Sequence, residues 1–384
     1  MHLLAIGLDY LMLKKDSVRG DVRERQFDYA KQLGSLRLIV YSPKNLNLKP
    51  EQWADNLWVY PTNSRNKLAF IYDAYKICSA ICRENKIDAI TAEDPFTTGF
   101  TGYLLKKKFK IPLNIQAHID FVDNEYWIKM RPVNVLFNAL GKFICKRSDT
   151  IRVVASETKE KLEKYGVAQD RISLISVHSD LKRFNATDGS KIRQEYLNKG
   201  FEQILLFVGR LVDQKDIPNL FSAFAIILKK KPNTLLLIAG KGPKEAFLKD
   251  LAKKMGISSN VIFAGAIEHQ LIPQFYAASD IFVLPSIFEG RATVIVEAIL
   301  SKKPIVSTDV SGLREWMVNG ETGFVVKRKD PQAFAEKITF LLDRPDLAKS
   351  FGEKGYAFVQ SRVDEIGDIS SMIKLWEDTA RSVK

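Results

Sequence analysis

A doubly wound α/β architecture, built twice over, is what this 384-residue sequence predicts, and three observations predict it. Short apolar runs alternate with amphipathic stretches of helical length, the pattern of parallel strands covered by helices. A polar, turn-rich segment, FNATDGSKIRQEYLNKGF, separates two sets of such runs. The composition, 46% hydrophobic and 27% charged, is that of an ordinary soluble chain, long enough for two domains.

The elements follow in order. MHLLAIGLDYLMLKKD has no leading basic region and Asp9 interrupts its apolar run, so it reads as a first strand, not a signal peptide. LLAIG, LRLIVYS, DAITAED, LNIQAH, TIRVVAS and RISLISV supply the strands of the first half. QILLFVG, TLLLIAG, VIFAG, DIFVLPS, KPIVSTD and GFVV supply those of the second. The expected boundaries are residues 1–197 for the first domain and 198–365 for the second. EIGDISSMIKLWEDTARS then reads as an amphipathic helix, and the terminal unit 366–384 is expected to pack back on the first domain. No internal repeat or low-complexity tract interrupts this plan.

FEGRATVIVEAIL, residues 288–300, predicts a buried helix starting near Ala292, because its residues are apolar on almost every side. Gly290 is a poor helix former and a good hinge just before it. Glu289 at the mouth and Glu297 two turns in are out of place unless something polar meets them.

Other classes are bounded quickly. Three cysteines make no disulfide framework and suit a reducing, cytoplasmic compartment, and four scattered histidines form no metal-ligand cluster. No run approaches the roughly 18 apolar residues of a membrane span. The net charge of +13 points to an anionic partner. No aromatic-interleaved basic motif accompanies it, so nucleic acid is not the expected partner.

Ligands of open parallel sheets gather outside the carboxyl ends of the strands. In VGRLVDQK, Gly209 gives a tight exit from a strand, and Arg210 and Lys215 can face one anion. In AGKGP, Gly240 and Gly242 let backbone amides approach a ligand. PSIFEG leads into the buried helix, whose N-terminus is an anion site. Amides, two cations and two carboxylates on one edge suit a sugar joined to a nucleotide diphosphate.

At this point the second half resembles the retaining glycosyltransferases of family four, through VGRLVDQKDIPNLFSAF, LLIAGKGP, VIFAGAIEH and the stretch from FYAASDIFVLPSIFEGRATVIVEAIL to GFVV. The order of the GR-x4-K loop, the GKGP loop and the E-x7-E pair, Glu289 to Glu297, makes the resemblance specific. The first half matches more loosely. The resemblance implies the GT-B fold, two Rossmann-like domains facing each other across a cleft.

It also implies roles. Arg210 and Lys215 would neutralise the diphosphate, Glu289 would hold donor-sugar hydroxyls, and Glu297 would take the ribose hydroxyls. Gly290 and the amides of Arg291, Ala292 and Thr293 would meet the phosphates, and Ala266 and Ile267 would flank the base. His118, closing a strand of the first domain, would approach the donor sugar and β-phosphate. Gly20 and Asp21, in KKDSVRGDVRER, stand at the acceptor-side loop. This chain departs from its relatives at Arg291–Ala292, at the single Gly20, and at Lys302–Lys303, where a glycine is usual before the KPIV strand.

The expected reaction is retaining transfer of a sugar from a nucleotide-diphosphate donor to a glycan or lipid-linked acceptor in envelope polysaccharide or glycolipid synthesis. No enzymic nucleophile, cofactor or metal is required. Same-fold epimerases and phosphorylases, or a non-enzymatic nucleotide-sugar or nucleic-acid binder, are the alternatives. Finally, WIKMRPVNVLFNALGKFICKR spaces apolar residues helically among Lys129, Arg131, Lys142, Lys146 and Arg147. Its stripe is expected to pack on the first sheet while the cations draw the domain to the anionic cytoplasmic face of a membrane.

Overall fold

The computed structural model describes residues 1–13, 22–175, 184, 187–290, 293–361 and 369–382. It divides into two units, Met1–Ser179 with Asp364–Lys384, and Asp180–Val363. Each is a Rossmann-like α/β domain.

The first carries β1 (His2–Gly7), β2 (Ser35–Val40), β3 (Glu51–Ala54), β4 (Leu57–Pro61), β5 (Ala89–Ala92), β6 (Leu113–Ala117), β7 (Thr150–Val153) and β8 (Ile172–Leu174). Their order is β3-β4-β2-β1-β5-β6-β7-β8. All pairings are parallel except β3 with β4. The β3–β4 hairpin is an addition to the expected strands. β3 is polar and exposed at the sheet edge, so it lacks the apolar run that marks the others.

The second domain carries β9 (Gln203–Val208), β10 (Thr234–Ala239), β11 (Val261–Gly265), β12 (Ile281–Leu284), β13 (Ile305–Thr308) and β14 (Gly323–Val326). They form one parallel sheet in the order β11-β10-β9-β12-β13-β14. β10 and β12 are buried along their whole length, as strands covered on both faces must be. Each sheet has a switch point where the winding reverses, β1/β5 in the first and β9/β12 in the second.

The domain boundary falls earlier than the expected residue 198. Helix Ser190–Leu197 lies in the polar, turn-rich segment, within the residues expected to end the first domain, with only Tyr196 buried among its residues. It belongs to the second unit because Arg193 pairs with Asp280 at 3.0 Å and donates to the Ala278 carbonyl at 3.0 Å. Gly189 at its start lies so close to helix Ile272–Ala278 that a Cβ there would come within 2.3 Å of the Ala278 nitrogen.

Helix Ile369–Arg381 completes the first domain. Met372, Ile373, Leu375 and Trp376 join a buried cluster with Leu3, Leu36 and Leu38. Trp376 meets Tyr29 edge-on at 4.9 Å, and the Thr379 and Thr150 hydroxyls lie 2.6 Å apart.

Helix Val133–Arg147 corrects one expectation. It buries Asn134, Gly141, Ile144 and Cys145, not the apolar stripe as a whole. Val135 and Leu136 are 60% and 65% exposed, and Val133, Phe143, Tyr126 and Met130 are exposed beside them. Gly141 sets this rotation. A Cβ there would meet Phe121 at 2.5 Å, so only the glycine face can lie against the domain.

Candidate active site

The loops leaving β9, β10 and β12 meet at the switch point of the second sheet. The turn after β9 is stitched to the loop after β10 by Gly209 N–H to Ala239 O (3.0 Å), Leu211 N–H to Lys241 O (3.1 Å) and Lys244 N–H to Leu211 O (3.1 Å). Gly240 sits at φ +145, and a Cβ there would fall 1.9 Å from the Gly209 oxygen. A Cβ on Gly242 would lie 2.3 Å from the Leu211 oxygen. These two glycines are therefore required by loop-on-loop packing. The Gly240 amide, moreover, donates to the Gly265 carbonyl at 2.7 Å, so it serves the fold instead of a ligand.

On the other side the β9 turn is tied to the β12 loop. Ile287 N–H donates to Gln214 O (2.8 Å) and Gln214 Nε2 donates to Phe288 O (2.8 Å). Lys215 Nζ donates to Glu289 Oε1 at 2.6 Å, with the two side chains only 11% and 7% exposed. The cation and the carboxylate expected to serve different parts of a ligand are thus also each other's partners. Both are desolvated, so removing either leaves a buried charge unpaired. Arg210 stands exposed at the same turn.

The buried helix is described over Thr293–Leu300, with Ile295, Val296, Ala298, Ile299 and Leu300 buried; its expected start near Ala292 lies outside the described residues. Gly290 precedes it; Arg291 and Ala292 lie outside the described residues, as do Gly20 and Asp21. Glu297 is half-buried and has a protein partner that sequence reasoning missed. Tyr276 Oη, fully enclosed on helix Ile272–Ala278, lies 3.0 Å from Glu297 Oε2 and 3.2 Å from the Val294 carbonyl. Burial raises the Tyr276 phenol well above its usual range, and the Glu297 charge raises it further. It stays a neutral donor. A tyrosine in an apolar helix needs a partner for its hydroxyl, and that need was the available signal.

Ala266 and Ile267 follow β11, beside the β10 loop, with Ala266 exposed. His118 follows β6 at its carboxyl end, half-buried in the first domain. A second overlooked residue lies at the first sheet's switch point. Glu93, next after β5, sits over Gly7 at the end of β1, where a Cβ would come within 2.5 Å of Glu93 Oε2. Burial pushes its carboxyl up to about 7, with Asp9 and Asp94 adding to the rise and Arg25 and the Leu8 amide opposing it. Among the described residues, no three His, Cys, Asp or Glu side chains gather as a metal site.

Two family models match the chain: Glycosyltransferase Family 4 over residues 27–183 and Glycosyl transferases group 1 over residues 188–358. The capsular polysaccharide biosynthesis glycosyltransferase CapM of Staphylococcus aureus is 33% identical over 50% of this chain and 48% of its own. The chain spans about half to two thirds of the length of the first curated relatives it matches. Among solved structures, sucrose-phosphate synthase from Thermosynechococcus elongatus superposes with a TM-score of 0.82 at 21% identity, covering 98% of this chain and 99% of that one. Anabaena Alr3699/HepE in complex with UDP-glucose superposes with a TM-score of 0.74 at 19% identity, covering 100% and 99%.

Proposed function

Since the chain belongs to family four of the glycosyltransferases and has their GT-B fold of two Rossmann-like domains, we propose that it transfers a sugar, with retention, from a nucleotide-diphosphate donor to a hydroxyl of a glycan or lipid-linked acceptor. The Lys215–Glu289 pair at the β9/β12 switch point carries this reading. An ammonium has three protons, and Glu289 takes one; the others can address a diphosphate. Arg210 adds charge at the same turn. As the sugar–phosphate bond breaks, the electron pair stays on the phosphate oxygen, and fixed cations stabilise it there. That oxygen then takes the acceptor hydroxyl's proton. This handling of charge calls for neither a metal nor another cofactor. HepE's complex with UDP-glucose and CapM's place in capsular polysaccharide biosynthesis support the donor and acceptor classes.

Thermal shift with a panel of nucleotide-diphosphate sugars tests the reading, because a bound donor stabilises the fold by linkage. One donor should raise Tm; a flat response to all of them rejects the proposal. Glu297→Gln should weaken binding of the free nucleotide about tenfold, since the Tyr276-held carboxylate is assigned to the ribose. Glu289→Gln should leave nucleotide affinity near wild type and cut turnover. Equal affinities in all three proteins would break the division of labour.

The acceptor reading extends to a membrane surface. No helix among the described residues is long and apolar enough to cross a bilayer. Helices Glu125–Met130 and Val133–Arg147 nonetheless present six exposed large apolar side chains next to exposed Lys129, Arg131, Lys146 and Arg147. Apolar wedges rimmed by cations suit an anionic interface. Cys78, Cys82 and Cys145 form no disulfide, which fits the cytoplasmic side. The protein should sediment with anionic vesicles and not with neutral ones. Leu136→Glu should abolish this without lowering Tm, because the side chain is exposed. Equal sedimentation of wild type and variant would place the contact elsewhere.

A further inference from the structure

The second domain contains a cavity of about 390 Å³ at the amino edge of its sheet, the edge opposite the β9 and β12 exit loops. Its floor is the entrances to β9, β12 and β13, and its roof is the junction of helices Pro331–Leu342 and Pro345–Gln360. The volume falls in the range of small-molecule sites. Leu341, Leu342 and Pro304 give it one apolar wall.

Its charges are unequal. Arg193, Lys302, Lys303 and Lys349 line it against two carboxylates, Asp280 and Glu202. Asp280 is already committed to Arg193 at 3.0 Å and to the Ile204 amide at 2.7 Å. Glu202 accepts from Asn233 at 2.9 Å. Lys302 pairs with Glu353 at 3.0 Å.

Lys303 is built in. Its Nζ donates to the carbonyls of Ala277 and Ser279, both at 2.8 Å, which fixes the ammonium and leaves one of its three protons for another acceptor. Burial lowers its pKa to about 8. The backbone holds Lys302 at φ +54, a conformation that favours glycine, yet the chain places a lysine there. A fixed cation with neutral ligands and an exposed Lys349 near the mouth make a receptor for a compact dianion.

We infer that this cavity binds a small phosphomonoester, its phosphoryl group held by Lys303 and Lys349 and its carbon skeleton against the Leu341–Pro304 wall. Binding here is separate from the donor loops and does not rest on the transferase reading.

The test uses glucose 6-phosphate and, in parallel, inorganic phosphate and glucose, at constant ionic strength. Glucose 6-phosphate should raise Tm saturably, by about 5 °C at roughly a hundred times its Kd, and glucose should not. The shift should persist in Arg210→Ala, which removes a cation of the donor loops, and vanish in Lys303→Met and in Lys349→Glu. Lys349 is exposed on helix Pro345–Gln360, so its variant should fold even if Lys303→Met does not. No saturable shift, a shift that survives Lys349→Glu, or one lost in Arg210→Ala overturns the inference.

Discussion

Replacing Lys215 with alanine is expected to cut turnover by roughly two to three decades, the effect of removing about 2–4 kcal/mol of preorganised charge from a dry site. The same change strands the Glu289 carboxylate at 7% exposure, so stability should fall by about 3–5 kcal/mol as well. The two effects separate in a double variant. Lys215→Met with Glu289→Gln removes both charges and should recover most of the lost Tm while turnover stays low. If the double variant regains activity together with stability, Lys215 is only structural. If turnover of the single variant stays within about fivefold of wild type, the diphosphate charge is met elsewhere, and Arg210 is the next cation to remove.

Glu93→Gln should have the opposite sign on stability. The native carboxyl titrates at about 7, against an ordinary value of 4.5, because burial disfavours its charged form. Its folded pKa is therefore raised, and the folded state holds the proton more tightly. Stability is fully present below pH 4.5 and is lost as pH rises through about 7. The cost above that window is about 2–3 kcal/mol after allowing for the residue's partial exposure. The amide has no such cost, so Glu93→Gln should melt higher than wild type at pH 8 and about equally at pH 4.5. A variant that melts lower at pH 8 would show the carboxylate to be stabilised by its neighbours.

How much of this was legible in the sequence depended on how local the cause was. β10 and β12 announce themselves because burial on both faces makes every residue apolar. β3 does not, since an edge strand keeps polar, exposed residues. Helix Ser190–Leu197 is assigned to the first domain by sequence because its attachment to the second runs through Arg193 and Gly189, not through an apolar stripe. Motif order singles out Arg210, Lys215, Glu289 and Glu297 as candidates, and of these the structure pairs Lys215 with Glu289. Tyr276 could not, because its link to Glu297 depends on how two short helices cross. Gly7 and Glu93 were hidden for a similar reason: strands far apart in sequence become neighbours only once the sheet order is known. The stripe on Val133–Arg147 was seen, but its facing was decided by Gly141, whose closeness to Phe121 has no sequence signature.

Helix Ile369–Arg381 gives the chain an order of completion. Both terminal segments belong to the first domain, so the second is in effect inserted within it. A ribosome releasing this chain delivers the whole second domain before the helix that closes the cluster around Leu3, Leu36 and Tyr29. Until Met372 and Trp376 emerge, the apolar residues they cover in the folded first domain have no helix to pack against. The half whose first strands are made earliest is the half whose last helix is made latest.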